Sequence, residues 1–274
     1  MANYTFSFIG TGNMGGALAR AAARTLPAGE ILLSNRTPAK AEALAEELGC
    51  AAGSVQRAAR EGRFIFLGVK PHAMGALLKE ITPILNDRRD RFVLVSMAAG
   101  VTIGRILTMM GEDPIYAPCP VIRIMPNTPC AVGEGMILYD ANHTVTAEEL
   151  AQFTAALAGA GVLDRLEERL IDAGSAVAGC GPAFVCLFLE ALADGGVACG
   201  LPRQKAMLYA AHTLKGAAAL QLSTGQHPGE MKDAVCSPGG STIAGVRELE
   251  RGRLRSTVLE AVLAAEKKNR DLGK

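Results

Sequence analysis

The chain has no tryptophan, and aromatic residues make up only 4% of its 274 positions. A charge surplus is missing too: 28 Lys and Arg stand against 27 Asp and Glu, a net charge of +1. Such a chain lacks the basic excess needed to neutralise a phosphate backbone, which excludes nucleic acid as the expected partner. The seven cysteines are odd in number and contain no CxxC pair. Neither a disulfide framework nor a zinc site follows, and no metal is expected; the cysteines read as small core residues. The start of the chain runs into Tyr4-Thr5-Phe6-Ser7-Phe8-Ile9 without a basic segment and apolar core, so no secretory signal is expected. The apolar stretch Ala183 to Leu189 is broken by Glu190 and Asp194, too early for a membrane span of about 20 residues. A soluble cytoplasmic protein without a membrane segment is the expectation.

What the chain does have is 49% apolar residues and 31 glycines without a period. The first figure excludes disorder, and the second excludes a collagen-like chain while marking places where backbone approaches backbone or ligand. Over roughly the first 165 residues, short β-rich runs alternate with helical patterns, as in a parallel α/β sheet. The runs are Thr5–Ile9, Ile31–Ser34, Phe64–Val69, Phe92–Ser96, Val121–Met125, Gly135–Tyr139 and Val162–Leu163. Helical patterns cover Met14–Thr25, Ala39–Leu48, Met74–Leu85, Ile103–Met110 and Ala147–Ala158. Thr37 followed by Pro38 suits a capped helix start. From Glu167 onward the pattern is almost wholly helical, with Ala and Leu at helical spacing in Ala183–Ala198, Gln204–Leu222 and Leu254–Leu272. The predicted organisation is an α/β, Rossmann-like dinucleotide-binding domain over 1–165 followed by an all-helical domain over 166–274.

Gly10-Thr11-Gly12-Asn13-Met14-Gly15 has the form GxGxxG. The pattern alone is weak, but here it follows an apolar strand and opens a helix, which places backbone N–H groups and the positive helix end toward a pyrophosphate. Gly10 permits the turn, Gly12 lets phosphates approach, and Gly15 lets helix and strand pack. An NAD-preferring site places a carboxylate at the end of the second strand. This chain reads Ser34-Asn35-Arg36-Thr37 there, and a guanidinium among small polar groups suits a 2′-phosphate. NADP(H) is the preferred cofactor, with NAD(H) as the alternative. The loops Gly68-Val69-Lys70-Pro71-His72 and Ser96-Met97-Ala98-Ala99-Gly100 fall at the ends of the next two strands, where ligands of an open sheet lie. Lys70 and His72 invite a reading as proton donors; Pro71 opening a helix, with Lys70 on phosphate or ribose, is an equally good one. The cofactor set is Ile9, Gly10, Thr11, Gly12, Asn13, Met14, Gly15, Ser34, Asn35, Arg36, Val69, Lys70, Pro71, Met97, Ala98 and Ala99.

Further motifs follow: Arg123-Ile-Met-Pro126-Asn127-Thr128-Pro129, Ala178-Gly179-Cys180-Gly181-Pro182-Ala183, Glu190-Ala-Leu-Ala-Asp194-Gly195, and Ser237-Pro238-Gly239-Gly240-Ser241-Thr242. Their order and spacing resemble the pyrroline-5-carboxylate reductase family from about residue 5 to residue 272. The resemblance implies NAD(P)H-dependent reduction of 1-pyrroline-5-carboxylate to L-proline, the last step of proline biosynthesis. It implies, too, a helical domain that interlocks with a second copy to form a homodimer, often assembled into decamers. It places Ser237, Gly239, Gly240, Ser241 and Thr242 on the substrate, with Thr242 hydrogen-bonding the imine nitrogen as the catalytic contact. Read without the resemblance, the residues suit two roles equally: a Gly-rich turn entering the expected helix Ile243–Glu250 suits a carboxylate, and a plain capped helix start would use the same residue types.

Two departures stand out. The family's usual Asn before the fourth strand is Val55 here, beside Gln56, and its frequent SGSGPA reads Ala178-Gly-Cys-Gly-Pro-Ala. The remaining glycines, Gly179 and Gly181, are expected to let helices pack closely. A β-hydroxyacid dehydrogenase is the nearest alternative, but its Lys and Asn positions would hold Val185 and Leu189. A non-catalytic NADP-binding regulator on the same scaffold is the other. The apolar faces of Gln204–Leu222 and Leu254–Leu272 are broader than one small domain covers, which again suggests a homodimer.

Overall fold

The computed structural model describes residues 2–112 and 119–272. The backbone contacts divide the chain into two compact units. One runs to Cys180 and takes in the residues from Ala265 on; the other is Gly181–Ala264.

The first unit is built on an eight-stranded sheet. Its elements in chain order are β1 (Tyr4–Ile9), α1 (Asn13–Ala22), β2 (Ile31–Ser34), α2 (Pro38–Leu48), β3 (Ala51–Ala52), α3 (Val55–Glu61), β4 (Gly62–Leu67), α4 (Pro71–Asn86), β5 (Val93–Ser96), α5 (Ile103–Met109), β6 (Val121–Met125), β7 (Gly135–Ala141), α6 (Ala147–Ala156), β8 (Gly161–Arg165) and α7 (Glu168–Ala178). The strand order is β3-β2-β1-β4-β5-β6-β7-β8. It reverses between β1 and β4, so the crevice beyond the C-terminal ends of those strands is the place for a ligand.

The sheet is parallel as expected except at one pairing: β7 runs antiparallel to β6. Residues 126–134 link the two strands through a single 3₁₀ segment, Thr128–Val132. A parallel return needs a crossover of a dozen or more residues, which α6 then provides between β7 and its parallel neighbour β8. The edge strand β3 and helix α3 are additions to the predicted set. Ser54 caps α3 by accepting the Arg57 N–H at 3.1 Å.

Both faces of the sheet are covered. Leu18, Leu44 and Phe153, from α1, α2 and α6, pack over Phe6, Phe8, Phe64 and Phe66 on one face. On the other face, residues of α3, α4 and α5 pack over Ile9, Leu32, Ile65 and Leu67. Five of the eight phenylalanines form one aromatic cluster, with Phe8 stacked on Phe66 at 4.4 Å. The scarce aromatics are thus concentrated on one face of the central strands.

The first unit extends past the predicted boundary at residue 165 because α7 packs on the sheet, burying Ile171 against Met125 and Leu138. Its end also holds the close of the last helix, where the Asn269 side chain donates to the Asp172 carbonyl at 3.2 Å.

The second unit is helical: α8 (Gly181–Ala198), α9 (Arg203–Thr224), α10 (Pro228–Ala234), α11 (Ser241–Arg251) and the greater part of α12 (Leu254–Leu272). Helices α8 and α9 meet through small residues, Ala193, Ala206 and Ala210. Gly196 is what permits the approach, since a Cβ there would lie 3.2 Å from that of Ala206. At the glycines expected to let helices pack, a Cβ at Gly181 would meet nothing within 4 Å of this chain, and the nearest atoms to one at Gly179 belong to Ser175 of its own helix.

Apolar side chains remain outside this unit's small core. Leu187 is 68% exposed and Leu222 is 82% exposed; Leu208 and Tyr209 are also open. The helical run Glu168–Ala198 is long and apolar enough, by length and composition alone, to cross a membrane, unlike the shorter stretch seen in the sequence. All seven cysteines are free. Cys119 and Cys130 are core residues as expected, but Cys186 and Cys199 are exposed on α8 and just beyond it.

Candidate active site

The glycine loop leaves β1 at the reversal of the sheet. Gly10 takes a φ of +107°, a region that side chains avoid. Its N–H donates to the Ser34 carbonyl at 2.8 Å, while the Gly68 N–H donates to the Ile9 carbonyl at 2.8 Å. The loop is thereby fixed to the ends of both neighbouring strands. The three loop glycines do different things. A Cβ on Gly15 would sit 2.0 Å from the Gly10 carbonyl oxygen, and one on Gly10 would sit 2.5 Å from the Gly68 carbonyl oxygen. At Gly12 a Cβ would meet nothing within 4 Å. Gly10 and Gly15 are required by the protein itself; the space at Gly12 is left for something else.

Gly12 also opens α1 without any side-chain cap, so the first-turn N–H groups keep their capacity for an anion. Two buried hydroxyls at the ends of the adjacent strands β1 and β2, Thr11 Oγ1 and Ser34 Oγ, have no hydrogen-bond partner. Buried polar groups are nearly always satisfied, so these two fit a site completed by a polar ligand. Asn35 Oδ1 accepts the Thr11 N–H at 3.3 Å, tying the end of β2 to the loop. Arg36 is exposed. Thr37 stands at the N-cap of α2 with Pro38 behind it, but its side chain makes no capping bond.

The other cofactor positions sit at the same end of the sheet. Strand β4 ends at Leu67, which leaves Val69 in the loop and makes Lys70 the N-cap of α4, with Pro71 at its first turn. Lys70 and His72 are both exposed. After β5, Met97 and Ala99 are partly open and Ala98 is buried. The structure therefore brings Ile9–Gly15, Ser34–Arg36, Val69–Pro71 and Met97–Ala99 to the C-terminal ends of β1, β2, β4 and β5. At the Val55 departure, the neighbouring Gln56 is exposed and donates to Glu80 Oε1 at 2.7 Å.

In the second unit, Ser237–Gly240 form a turn before α11. Gly239 has a φ of +68°, and the Gly240 N–H donates to the Ser237 carbonyl at 3.0 Å. Helix α11 begins at Ser241, not at Ile243, so Ser241 and Thr242 occupy its first turn. Its N-cap is Gly240, with no side-chain cap. The helix-start alternative therefore lacks its usual hydroxyl bond, and the exposed N–H groups can receive a carboxylate.

Sequence reasoning gave no role to two buried polar residues on and beyond β6. Arg123 is 1% exposed and binds Asp172 at 2.6 Å and Glu168 at 3.5 Å. A charge inside the apolar run Val-Ile-Arg-Ile-Met was the signal for it. Asn127 is 7% exposed; its Nδ2 donates to the Ala178 carbonyl at 3.0 Å, and its Oδ1 accepts the Met136 N–H at 2.9 Å. Both residues hold α7 against the sheet. Among the described residues no group of three or more His, Cys, Asp or Glu could hold a metal ion.

A doubly wound sheet with a ligand-ready glycine loop, followed by a helical unit with its own glycine turn, defines a dinucleotide-dependent oxidoreductase scaffold. Comparison with known proteins makes the class particular. Residues 168–272 match the family model for pyrroline-5-carboxylate reductase dimerisation, and residues 5–100 match that for coenzyme F420-dependent NADP oxidoreductases. The pyrroline-5-carboxylate reductase of Escherichia coli is 41% identical, with 97% of each chain covered. That of Pisum sativum is 37% identical over 98% of this chain and 96% of its own. The crystal structure of the Plasmodium falciparum enzyme with NADP bound superposes with a TM-score of 0.88 at 31% identity, covering 100% of both chains. The chain belongs to the pyrroline-5-carboxylate reductase family and is an oxidoreductase.

Proposed function

We propose that the chain reduces 1-pyrroline-5-carboxylate to L-proline at the expense of NADPH, closing proline biosynthesis. The observation that carries this reading is the uncapped start of α11 at Gly240, in the segment that the family resemblance places on the substrate. The first-turn N–H groups and the Ser237–Gly240 turn receive the substrate carboxylate. Thr242, a neutral hydroxyl in that same turn, hydrogen-bonds the ring nitrogen and fixes its orientation.

When bound, the reduced nicotinamide supplies the hydride for the C=N carbon. A pyrrolinium nitrogen already carries its proton, so no strong general acid is needed. Lys70 and His72 can then serve phosphate and ribose. The protein's contribution is placement: binding both partners and holding the ring in register, the source of much of the rate in such reactions. Ile9–Gly15 cradle the pyrophosphate through backbone N–H groups and the open side of Gly12. Ser34, Asn35 and Arg36 receive a 2′-phosphate, which sets the preference for NADP(H) over NAD(H). Val69–Pro71 and Met97–Ala99 line the rest. The Val55 position supplies no polar contact.

The exposed apolar side chains of α8, α9 and α12 lie in the segment matching the dimerisation model. The same segment accounts for the apolar run Glu168–Ala198 as partner surface, giving a soluble cytoplasmic homodimer on which a decamer can be built. The test is turnover of pyrroline-5-carboxylate by the purified protein, with NADPH and NADH compared. No substrate-dependent oxidation of either would leave a nucleotide-binding regulator in its place.

A further inference from the structure

Residues 97–102, between β5 and α5, are held weakly by their own bonds. The Ala98 N–H reaches Ser96 Oγ only at 3.4 Å, and the Val101 N–H reaches the Ala98 carbonyl only at 3.3 Å, beyond the usual range for such bonds. The firmer hold comes from outside. Thr102 caps α5 by accepting the Arg105 N–H at 3.2 Å, which leaves the Ile103 N–H, at the first helical position, with no partner in its own helix. Oε1 of Glu168, the first residue of α7, accepts it at 2.7 Å, the length of a charge-assisted bond. Glu168 is fixed in turn. Its N–H donates to Asp140 Oδ2 at 2.7 Å, and the same Oε1 lies 3.5 Å from the buried Arg123 guanidinium. Packing agrees, because Ala99 lies against Met125, Leu138 and Ile171 of β6, β7 and α7.

The sheet order says which part of a dinucleotide these residues meet. From β2, with the residues read as a 2′-phosphate site, the order runs through β1, with the pyrophosphate loop, to β4 and β5. At about 4.8 Å per strand, β5 lies about 14 Å from β2, past the pyrophosphate, where the nicotinamide half of the cofactor falls. We infer that Glu168 is a positioning residue for the nicotinamide: by holding Ile103 it sets the loop of Met97, Ala98 and Ala99 against which the ring lies. The inference rests on the reading of these loops as an NADP(H) site. Every group in the chain of contacts from Asp140 and Arg123 through Glu168 to Ile103 belongs to the first unit.

The test uses the full chain with Glu168→Ala, which removes the acceptor, and with Glu168→Gln, which keeps an acceptor oxygen and drops the charge. Hydrogen exchange over residues 97–104 should speed up by about tenfold or more in the Ala variant and stay within about threefold of wild type in the Gln variant. At saturating NADPH, the fluorescence lifetime of the nicotinamide should exceed that of free NADPH in the wild type. It should fall toward the free value in the Ala variant, whose loop no longer stills the ring. The dissociation constant of 2′-phospho-ADP-ribose, which has the phosphates but no nicotinamide, should stay within about twofold in both variants, since the glycine loop is untouched. A merely structural loss would weaken that fragment as well. Unchanged exchange at 97–104 in the Ala variant overturns the inference, as does an unchanged lifetime where exchange has sped up. So does a marked weakening of the fragment, or a Gln variant as impaired as the Ala variant, which would assign the effect to the charge beside Arg123. If the Ala variant fails to fold, Glu168→Asp, shorter by a methylene, carries the same readings. Wild-type protein that binds neither NADPH nor the fragment ends the NADP(H) reading and, with it, this inference. Binding of both by the wild type, with the lifetime unchanged in the Ala variant, ends this inference alone.

Discussion

Replacing Gly12 and Gly15 by alanine, one at a time, separates fold from function within a single loop. Gly12 has φ −70° and ψ −166°, which alanine adopts freely, and its Cβ would meet no protein atom within 4 Å. Exchanging Gly for Ala at an N-cap costs a few tenths to about 1 kcal/mol. The lost freedom of the unfolded chain returns about 0.4–1 kcal/mol. The net change in stability should be near zero, with Tm within about 2–4 °C of wild type. The methyl group would nonetheless stand where the pyrophosphate approaches, and NADPH affinity should fall by about tenfold to a hundredfold, or about 1.4–3 kcal/mol. Gly15→Ala is the opposite case. Its Cβ would be forced to 2.0 Å from the Gly10 carbonyl oxygen, so α1 must shift off β1 at a cost of about 1–3 kcal/mol. Thermal melts together with fluorescence titration of NADPH read both effects. A Gly12→Ala protein that binds NADPH as wild type does, or that melts as early as Gly15→Ala, would refute the assignment of Gly12 to the ligand.

Three further outcomes follow from the structure. Thr242→Ala should lower kcat/KM for pyrroline-5-carboxylate by about tenfold to a hundredfold, or about 1.4–3 kcal/mol, without altering Tm, since its side chain is exposed in the first turn of α11; wild-type kinetics would remove it from the mechanism. For Glu149, burial works to raise the carboxyl pKa, but hydrogen bonds from Arg91 and the Thr146 N–H, with Arg63 also nearby, hold it below the usual range. A carboxyl lowered in this way stabilises the fold above its unfolded pKa of about 4.3 and loses that contribution as pH falls through the folded value. Glu149→Gln should cost about 1–2 kcal/mol at neutral pH, since the arginines it leaves are partly solvated, and Tm in this variant should depend less on pH below about 5 than in the wild type. Light scattering at micromolar concentration should give at least twice the 28.5 kDa chain mass, and a monomer would contradict the reading of the exposed faces of α8, α9 and α12.

Much of the first unit was legible in the sequence because its strands are short apolar runs set between helices with ordinary signals. Gly10 and Gly15 were readable because each has a distinct steric reason within the fold to be glycine. Three features were not legible, each for a physical reason. The reversal of β7 depends on how far residues 126–134 can reach, a property of the link and not of the strand. Strand β3 is two residues at a sheet edge, too short for a periodic pattern, and α3 offered only its Ser54 cap as a signal. The boundary near residue 165 marks a change of pattern, yet α7 belongs to the first compact unit because Ile171, Arg123 and Asn127 fasten it there. In the candidate site, the sequence pointed to the Ser237–Thr242 turn but started its helix two residues late, since Ser and Thr serve equally well before a helix or in its first turn. Val55 was seen as a departure, but the surface bond from Gln56 to Glu80 joins residues 24 apart, which no local pattern records.

The central claim is tested most directly by adding pyrroline-5-carboxylate and NADPH to the purified protein and following the loss of reduced-nicotinamide absorbance alongside the appearance of proline. The account predicts proline formed in step with NADPH consumed, and a kcat/KM with NADPH above that with NADH. Absence of proline at saturating substrate would contradict the reductase reading, and a kcat/KM with NADH well above that with NADPH would contradict the assignment of Ser34, Asn35 and Arg36 to a 2′-phosphate.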